Sequence, residues 1–390
     1  MHQGKYVFSQ IMNQVVRYQF NQCVARYRGE HRVKNFSCWE QFLALLFGQL
    51  TFRKSLRDII VCLTAYREKL YHLGFRSVLR RSTLADANER RDWRIYRDYA
   101  LVLIAEARRL YKSNKTVALA LDEAAYAVDS TTIELSLNLF PWARLKKKRA
   151  AIKLNVGLEL HGNIPSFFSL VGGKEHDVLY LDKIKFESGA YYVFDRGYLD
   201  FYRLSRIQEA GAFFVTRAKS NWLFRRQYSS PVDKTTNVRC DQTVVLTGHY
   251  PRKDYPEKLR RIKYYDSETQ RYYVFVTNNF KLASQVIADL YKSRWQIELF
   301  FKWIKQHLSV ESFWGQSANA VKTQICVALI AFILIAIMKK NLHIDRNSYE
   351  ILQILSISPF DKTPLIKLIS ECELQTVELL SQKQAKLWEF

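Results

Sequence analysis

The sequence predicts an α/β protein: a mixed sheet with flanking helices and a β-rich insertion, preceded by an all-α N-terminal domain. Three observations predict this. The hydrophobic period is helical up to about residue 112 and changes to short apolar runs from Lys115. Those runs alternate with helical stretches, the pattern of strands joined by crossover helices. Residues from about 218 to 270 then turn polar, basic and strand-like before one more strand and an apolar helix follow.

Composition narrows the partners. At 390 residues the chain is long enough for two or three domains, and 48% hydrophobic residues exclude a disordered chain. The net charge of +23 and the pI of about 9.7 call for a polyanion: DNA, RNA or an anionic membrane surface. The longest apolar run, Ile325 to Met338, is shorter than the ~20 residues of a spanning helix. It reads as a buried core helix, so no membrane partner is expected. The start, Met1-His2-Gln3-Gly4-Lys5-Tyr6, has no apolar signal core, and a cytoplasmic, nucleoid-associated protein is expected. Six scattered cysteines and eight histidines show neither a Cys-x-x-Cys pair nor zinc-ligand spacing.

In the helical region, Ser37 is placed to cap a helix through Phe47, with Glu40 at the capping-box position, and Ser55 to cap another through Leu63, with Asp58 three residues on. Ser82 to Arg91, flanked by arginines, fits the second helix of a helix-turn-helix DNA reader or, equally, a plain bundle with a basic rim. Strands are expected at Thr116–Leu121, Tyr126–Val128, Ile152–Leu160, Ile164–Leu170, Tyr191–Phe194 and Phe213–Thr216, with a helix from Leu199 to Ala210. The insertion holds strands at Thr243–Leu246 and Arg260–Tyr265, and Arg271–Thr277 returns to the sheet. The expected domains are 1–112, helical; 113–340, the sheet with its insertion; and 341–390, a helical C-terminal segment.

Carboxylates stand where such a sheet places chemistry. Asp129 follows one expected strand and Asp195 another, at carboxyl ends that open to loops. Asp122, in Leu121-Asp122-Glu123, competes with Asp129, and Asp129 and Asp195 would each also serve a plain turn. A third carboxylate lies in the helix Tyr291 to Lys305, where Tyr291, Arg294, Glu298, Lys302 and Lys305 recur at steps of three or four on one side. On spacing alone that side would also suit a solvated, ion-paired face.

The spacing Tyr291, Arg294, Glu298, Lys305, with Trp295 after the Arg and Lys302 a turn after the Glu, resembles the signature of the insertion-sequence-four family of bacterial DDE transposases. Asp129-Ser130-Thr131-Thr132 and Asp195-Arg196-Gly197-Tyr198 resemble the acidic motifs of that family, which favours Asp129 over Asp122; His176-Asp177 is similar to a further recurring feature. The resemblance spans about residues 5 to 340. It implies an RNase H-like core with a β-rich insertion between the second and third acids, a helical domain that binds element ends, and cut-and-paste transposition. It implies that Asp129, Asp195 and Glu298 are catalytic and hold Mg2+, for which Mn2+ substitutes, since hard divalent cations take carboxylate oxygens.

Tyr291, Arg294, Trp295, Lys302 and Lys305 would then contact DNA, with Trp295 or Trp222 placed to stack a flipped base. The partners implied are double-stranded DNA, as element ends and target, and a second copy of the chain in a synaptic dimer. The basic runs Arg144 to Arg149, Arg225-Arg226 and Arg252 to Lys263 would add phosphate contacts. Two other activities stay open on these residues: a nuclease of the same fold without strand transfer, and a DNA-binding protein that has lost catalysis.

Overall fold

The computed structural model describes residues 4–112, 121–147, 149–233, 235–310 and 312–370. The chain divides into two compact units: Met1–Leu110 with Asn138–Trp142 and Trp303–Phe390, and Tyr111–Leu137 with Ala143–Lys302. This division differs from the sequential boundaries expected at 112 and 340, because the segment after Lys302 groups with the N-terminal helices.

The helical unit begins with α1 (Val7–Met12), α2 (Arg17–Arg26), α3 (Cys38–Leu50), α4 (Leu56–Ala65), α5 (Arg81–Arg90) and α6 (Arg94–Tyr111). Helix α3 starts at the expected capping box: the Ser37 hydroxyl accepts from the Glu40 amide, and the Glu40 carboxylate accepts from the Ser37 amide. All thirteen of its residues are buried. Ser55 caps α4 through the Asp58 amide.

Helix α5 departs from expectation. It starts one residue earlier with no side-chain cap, so Ser82 lies inside its first turn. Residues 66–80 separate it from α4 and contain two 3-10 turns, whereas a helix-turn-helix needs a connection of about three or four residues. The expected helix-turn-helix is therefore not formed.

The sheet unit contains β1 (Ala125–Leu135), β2 (Arg144–Lys146), β3 (Arg149–Glu159), β4 (Ile164–Gly172), β5 (Tyr191–Phe194), α7 (Phe201–Glu209), β6 (Phe213–Arg217), β7 (Phe224–Ser230), β8 (Val238–Leu246), α8 (His249–Asp254), β9 (Leu259–Asp266) and β10 (Arg271–Thr277). Among the described residues the strands form one ten-stranded mixed sheet, in the order β2-β3-β1-β5-β6-β10-β9-β8-β7 with β4 also on β3. Pairs β1–β5 and β5–β6 are parallel, and the other pairs are antiparallel. The expected strand Thr116–Leu121 lies, up to residue 120, outside the described residues. The insertion is continuous with the sheet and extends it beyond β10. Its first strand, β7, is exposed along nearly its whole length, so it lacks the apolar alternation by which a strand is recognised. One face of the central strands carries a core of Tyr126, Val128, Tyr192, Phe194 and Phe214, closed by Leu204 and Ile207 of α7.

The stretch expected as one helix is two. Helix α9 (Ser284–Ser293) and α10 (Trp295–His307) meet at Arg294. Around it the backbone bonds run three residues apart, from the Arg294 amide to the Tyr291 carbonyl and from the Ile297 amide to the Arg294 carbonyl, which tightens the turn. The boundary between the units falls within α10, after Lys302. The chain continues in α11 (Ala318–Asn341), α12 (Ser348–Ile357) and α13 (Leu365–Ser370). Helix α11 is long and apolar enough to cross a membrane, but 89% of its apolar window is buried. It packs on α3 and α5 as a core helix, with Gln324 donating to the Ser309 and Ser312 carbonyls.

Candidate active site

The site begins at the parallel pair. Tyr191 to Phe194 is wholly apolar and wholly buried, as a strand covered on both faces must be. Its register with β1 runs from Ala125 opposite Tyr191 to Val128 opposite Phe194. Asp129 and Asp195 are the next residues on the two strands. Asp129 is not at the end of its strand, as expected, since β1 continues antiparallel to β3 as far as Leu135. It stands instead where the parallel pairing stops. Asp122, its rival in the sequence, is exposed before β1, beyond the amino end of the same pairing.

Local bonds orient both aspartates. The Asp129 carboxylate accepts from the Ser130 amide at 2.8 Å. Asp195 caps the 3-10 turn Arg196–Tyr198, its Oδ1 accepting from the Gly197 amide at 2.7 Å. A Cβ at Gly197 would stand 2.8 Å from that same oxygen, so glycine is what lets the carboxylate lie over the turn.

The third carboxylate comes from α10. Arg294 donates from Nη1 to Asp129 Oδ2 at 3.1 Å and from Nη2 to Glu298 Oε1. The Arg294 and Glu298 contact is the ordinary i, i+4 reach of a helix. The Asp129 contact spans 165 residues of chain. Burial pushes the Asp129 carboxyl up to about 6; the Ser130 amide and the Arg294 charge oppose this, and the Asp195 and Glu298 charges add to it.

Other neighbours had no strong sequence signal. Ser130 Oγ donates to Asp177 at 2.7 Å, and Lys153 Nζ donates to the same Asp177 oxygen at 2.8 Å. Asp177 thus ties the residue after Asp129 to β3. The phenol of Tyr198 is buried, and burial, followed by the Asp129 charge, pushes its pKa upward. Only the pairing of β1 with β3 puts Lys153 within reach, which no local pattern could announce.

Of the other expected residues, Tyr291, Arg294 and Trp295 line a cavity of about 190 Å3 together with Arg217, Tyr273 and Lys292. Trp295 is 57% exposed, whereas Trp222 packs on the Phe201 ring at 4.9 Å. Lys302 is exposed and Lys305 half-buried, further along α10. The basic runs divide. Arg144, Lys146, Lys147, Arg225 and Arg226 are exposed, and Lys148 lies outside the described residues. Arg260, expected to face phosphate, is buried in an ion pair with Asp241 at 2.6 Å.

Three carboxylates are a donor set for a hard divalent cation, and two of them stand at one level of adjacent strands. As the side chains lie, no three His, Cys, Asp or Glu residues among those described converge closely enough to enclose a metal ion. Arg294 spans two of the carboxylates. The donors fit such an ion in kind.

Residues 121–334 match the family described as Transposase DDE domain, and residues 3–76 match a domain of unknown function, DUF4372. The chain is 35% identical over 260 residues to a Sinorhizobium fredii protein named as a transposase, y4zB, covering 65% of this chain and 70% of the other. It is 32% identical over 210 residues to a Geobacillus stearothermophilus protein named as a transposase for insertion sequence element IS5377, covering 53% and 55%. It is 26% identical over 264 residues to a Synechocystis protein named as a transposase for insertion sequence element IS4SA, covering 66% and 71%. Among solved structures, a piggyBac transposase synaptic complex with hairpin DNA aligns with a TM-score of 0.45 and 11% identity, over 92% of this chain and 78% of that one.

Proposed function

This chain belongs to the transposase DDE domain family, and we propose that it moves an insertion sequence by cut-and-paste with Asp129, Asp195 and Glu298 as its catalytic carboxylates. It is an insertion-sequence DDE transposase, an enzyme that cleaves DNA and transfers strands and that requires a divalent metal ion. The finer reading is that the ion is Mg2+, that the core is RNase H-like and of the insertion-sequence-four type, and that two copies act on two element ends in the cytoplasm.

One observation carries the assignment of the site. A single guanidinium, Arg294, joins the first expected carboxylate on β1 to the third on α10. Side chains this far apart in sequence share a partner only if the fold gathers them. Divalent ions bound by the three carboxylates would supply an activated water or 3′-hydroxyl and a positive charge opposite the leaving oxygen.

The chain's own part is positioning. The Ser130 and Gly197 amides aim Asp129 and Asp195, and Asp177, held by Lys153 of β3, steadies Ser130. Glu298 is carried by a helix, which places it more rigidly than a loop would. Tyr291, Arg294 and Trp295 present an aromatic and cationic surface suited to a DNA phosphate and an unstacked base, and Lys302 and Lys305 continue it along α10.

The test is cleavage and joining of DNA bearing the element's own ends, in Mg2+, for the wild type beside Glu298→Gln. The reading holds if the wild type cuts and joins while Glu298→Gln binds the ends and does neither. Full activity in Glu298→Gln removes that residue from the site. Cleavage by the wild type without end preference or joined product makes the protein a nuclease, and binding without cleavage makes it a DNA-binding protein only.

A further inference from the structure

We propose that Arg294 is a built-in cation that occupies the carboxylate site in the absence of DNA and gives way to the metal ion when a DNA phosphate draws it aside. The proposal rests on Asp129, Asp195 and Glu298 being the metal-binding carboxylates, and it concerns how that site is controlled.

The guanidinium is forked, and each prong meets a carboxylate from a different element, Asp129 of β1 and Glu298 of α10. The side chain is only 16% exposed, and Asp129 only 21%. Three carboxylates brought together repel one another, and in a partly buried place water does little to screen them. One fixed cation offsets part of that repulsion. Its Nε is buried without a hydrogen-bond partner, so the group is seated at the cost of one of its own donors. Seating that satisfies the carboxylates before the arginine is what a stand-in for a metal ion requires.

The same guanidinium borders a second place. The cavity of about 190 Å3 beside it is lined by Arg217, Tyr273, Tyr291 and Trp295, and by Lys292 with its ion-pair partner Asp266 at 3.2 Å. The Arg294 guanidinium carbon lies 5.9 Å from the Tyr291 ring centroid, and that of Arg217 lies 4.6 Å from the Tyr273 ring. A phosphate in this cavity would meet Arg217 and Arg294 together. It would offer Arg294 a bidentate anionic partner equal to the pair it leaves. Without that partner, a metal ion taking Asp129 and Glu298 would strand a half-buried guanidinium, which is costly. Metal and DNA therefore favour each other's binding, and this coupling is reciprocal. Metal-free carboxylates stay quenched until an element end is in place, which guards against cutting elsewhere.

The measurement is Mn2+ binding to the full chain by calorimetry, for the wild type and Arg294→Met, each with and without duplex carrying the element end. Without DNA, Arg294→Met is expected to bind Mn2+ about tenfold tighter than the wild type or better, within the usual range of such couplings. Added end DNA should tighten Mn2+ binding to the wild type more than to Arg294→Met, in which only the phosphate's own ligation of the ion remains. Arg294→Lys, which keeps the charge but lacks the planar fork of the guanidinium, should fall between them and guards against misfolding of the Met variant, with thermal melts run on all three. Equal Mn2+ affinity in the wild type and both variants without DNA, or an undiminished DNA effect in Arg294→Met, overturns the proposal. Glu298→Gln separates the two levels. If it binds Mn2+ like the wild type, the carboxylate assignment itself has failed. If it loses Mn2+ while Arg294→Met changes nothing, only the role of Arg294 has failed.

Discussion

Val128 of β1 and Phe194 of β5 are partners in a parallel pair, so Asp129 and Asp195 follow at the same level of neighbouring strands. Parallel pairing keeps like ends together, and two carboxylates that would lie on opposite sides of an antiparallel hairpin become neighbours here.

Gly197→Ala tests the orientation of Asp195. The added methyl would lie 2.8 Å from Asp195 Oδ1 and force the carboxylate off its turn. Cleavage of element-end DNA is expected to fall by roughly 10²-fold, the scale of a 1 Å misplacement. The thermal midpoint should move little, because the turn is exposed. Wild-type cleavage rates in Gly197→Ala would show that this orientation does not matter.

Asp129→Asn should make the metal-free protein more stable at neutral pH. The folded-state pKa of Asp129 is raised to about 6 from an ordinary 3.8, so its ionisation opposes folding. The stability it contributes is full below about pH 3.8 and is lost as pH rises through about 6. Urea denaturation in a chelator should find Asp129→Asn more stable than the wild type by about 1–2 kcal/mol at pH 7.5, with the difference fading toward pH 4. A constant difference across that range would assign the effect to packing.

Arg260→Met probes a buried ion pair in the extended part of the sheet. Burial alone would raise the Asp241 carboxyl; the Arg260 fork and the Ser284 hydroxyl hold it below its usual range. Arg260 also donates to the Asn279 and Leu282 carbonyls in the segment before α9, the helix that leads to Arg294 and Glu298. Removing one partner strands the other, so Arg260→Met should lose about 3–5 kcal/mol in urea. The double variant Arg260→Met with Asp241→Leu should recover most of it. Failure of the double variant to recover would place the cost in the lost carbonyl contacts.

The elements legible in the sequence are those whose cause is local. Ser37 with Glu40 and Ser55 with Asp58 signal helix starts within four residues, and both caps form. The apolar run Tyr191 to Phe194 and the acid after it mark a buried strand and its exit, and the spacing of Arg294 and Glu298 puts them on one helical side. The uncapped start of α5 and the long connection before it show the limit, because a serine near a helix start is a weak signal without its bond.

What the residue order decided on its own was the kind of protein, its three candidate carboxylates and the elements that carry them, because caps, periods and short motifs act over a few residues. Tertiary structure alone decided that β7, β8 and β9 extend one sheet, that Arg260 turns inward to Asp241, that Lys153 and Asp177 support Ser130, and that Arg294 reaches Asp129. Each of those depends on strand pairing or charge burial between segments distant in the chain, and no local pattern encodes the partner.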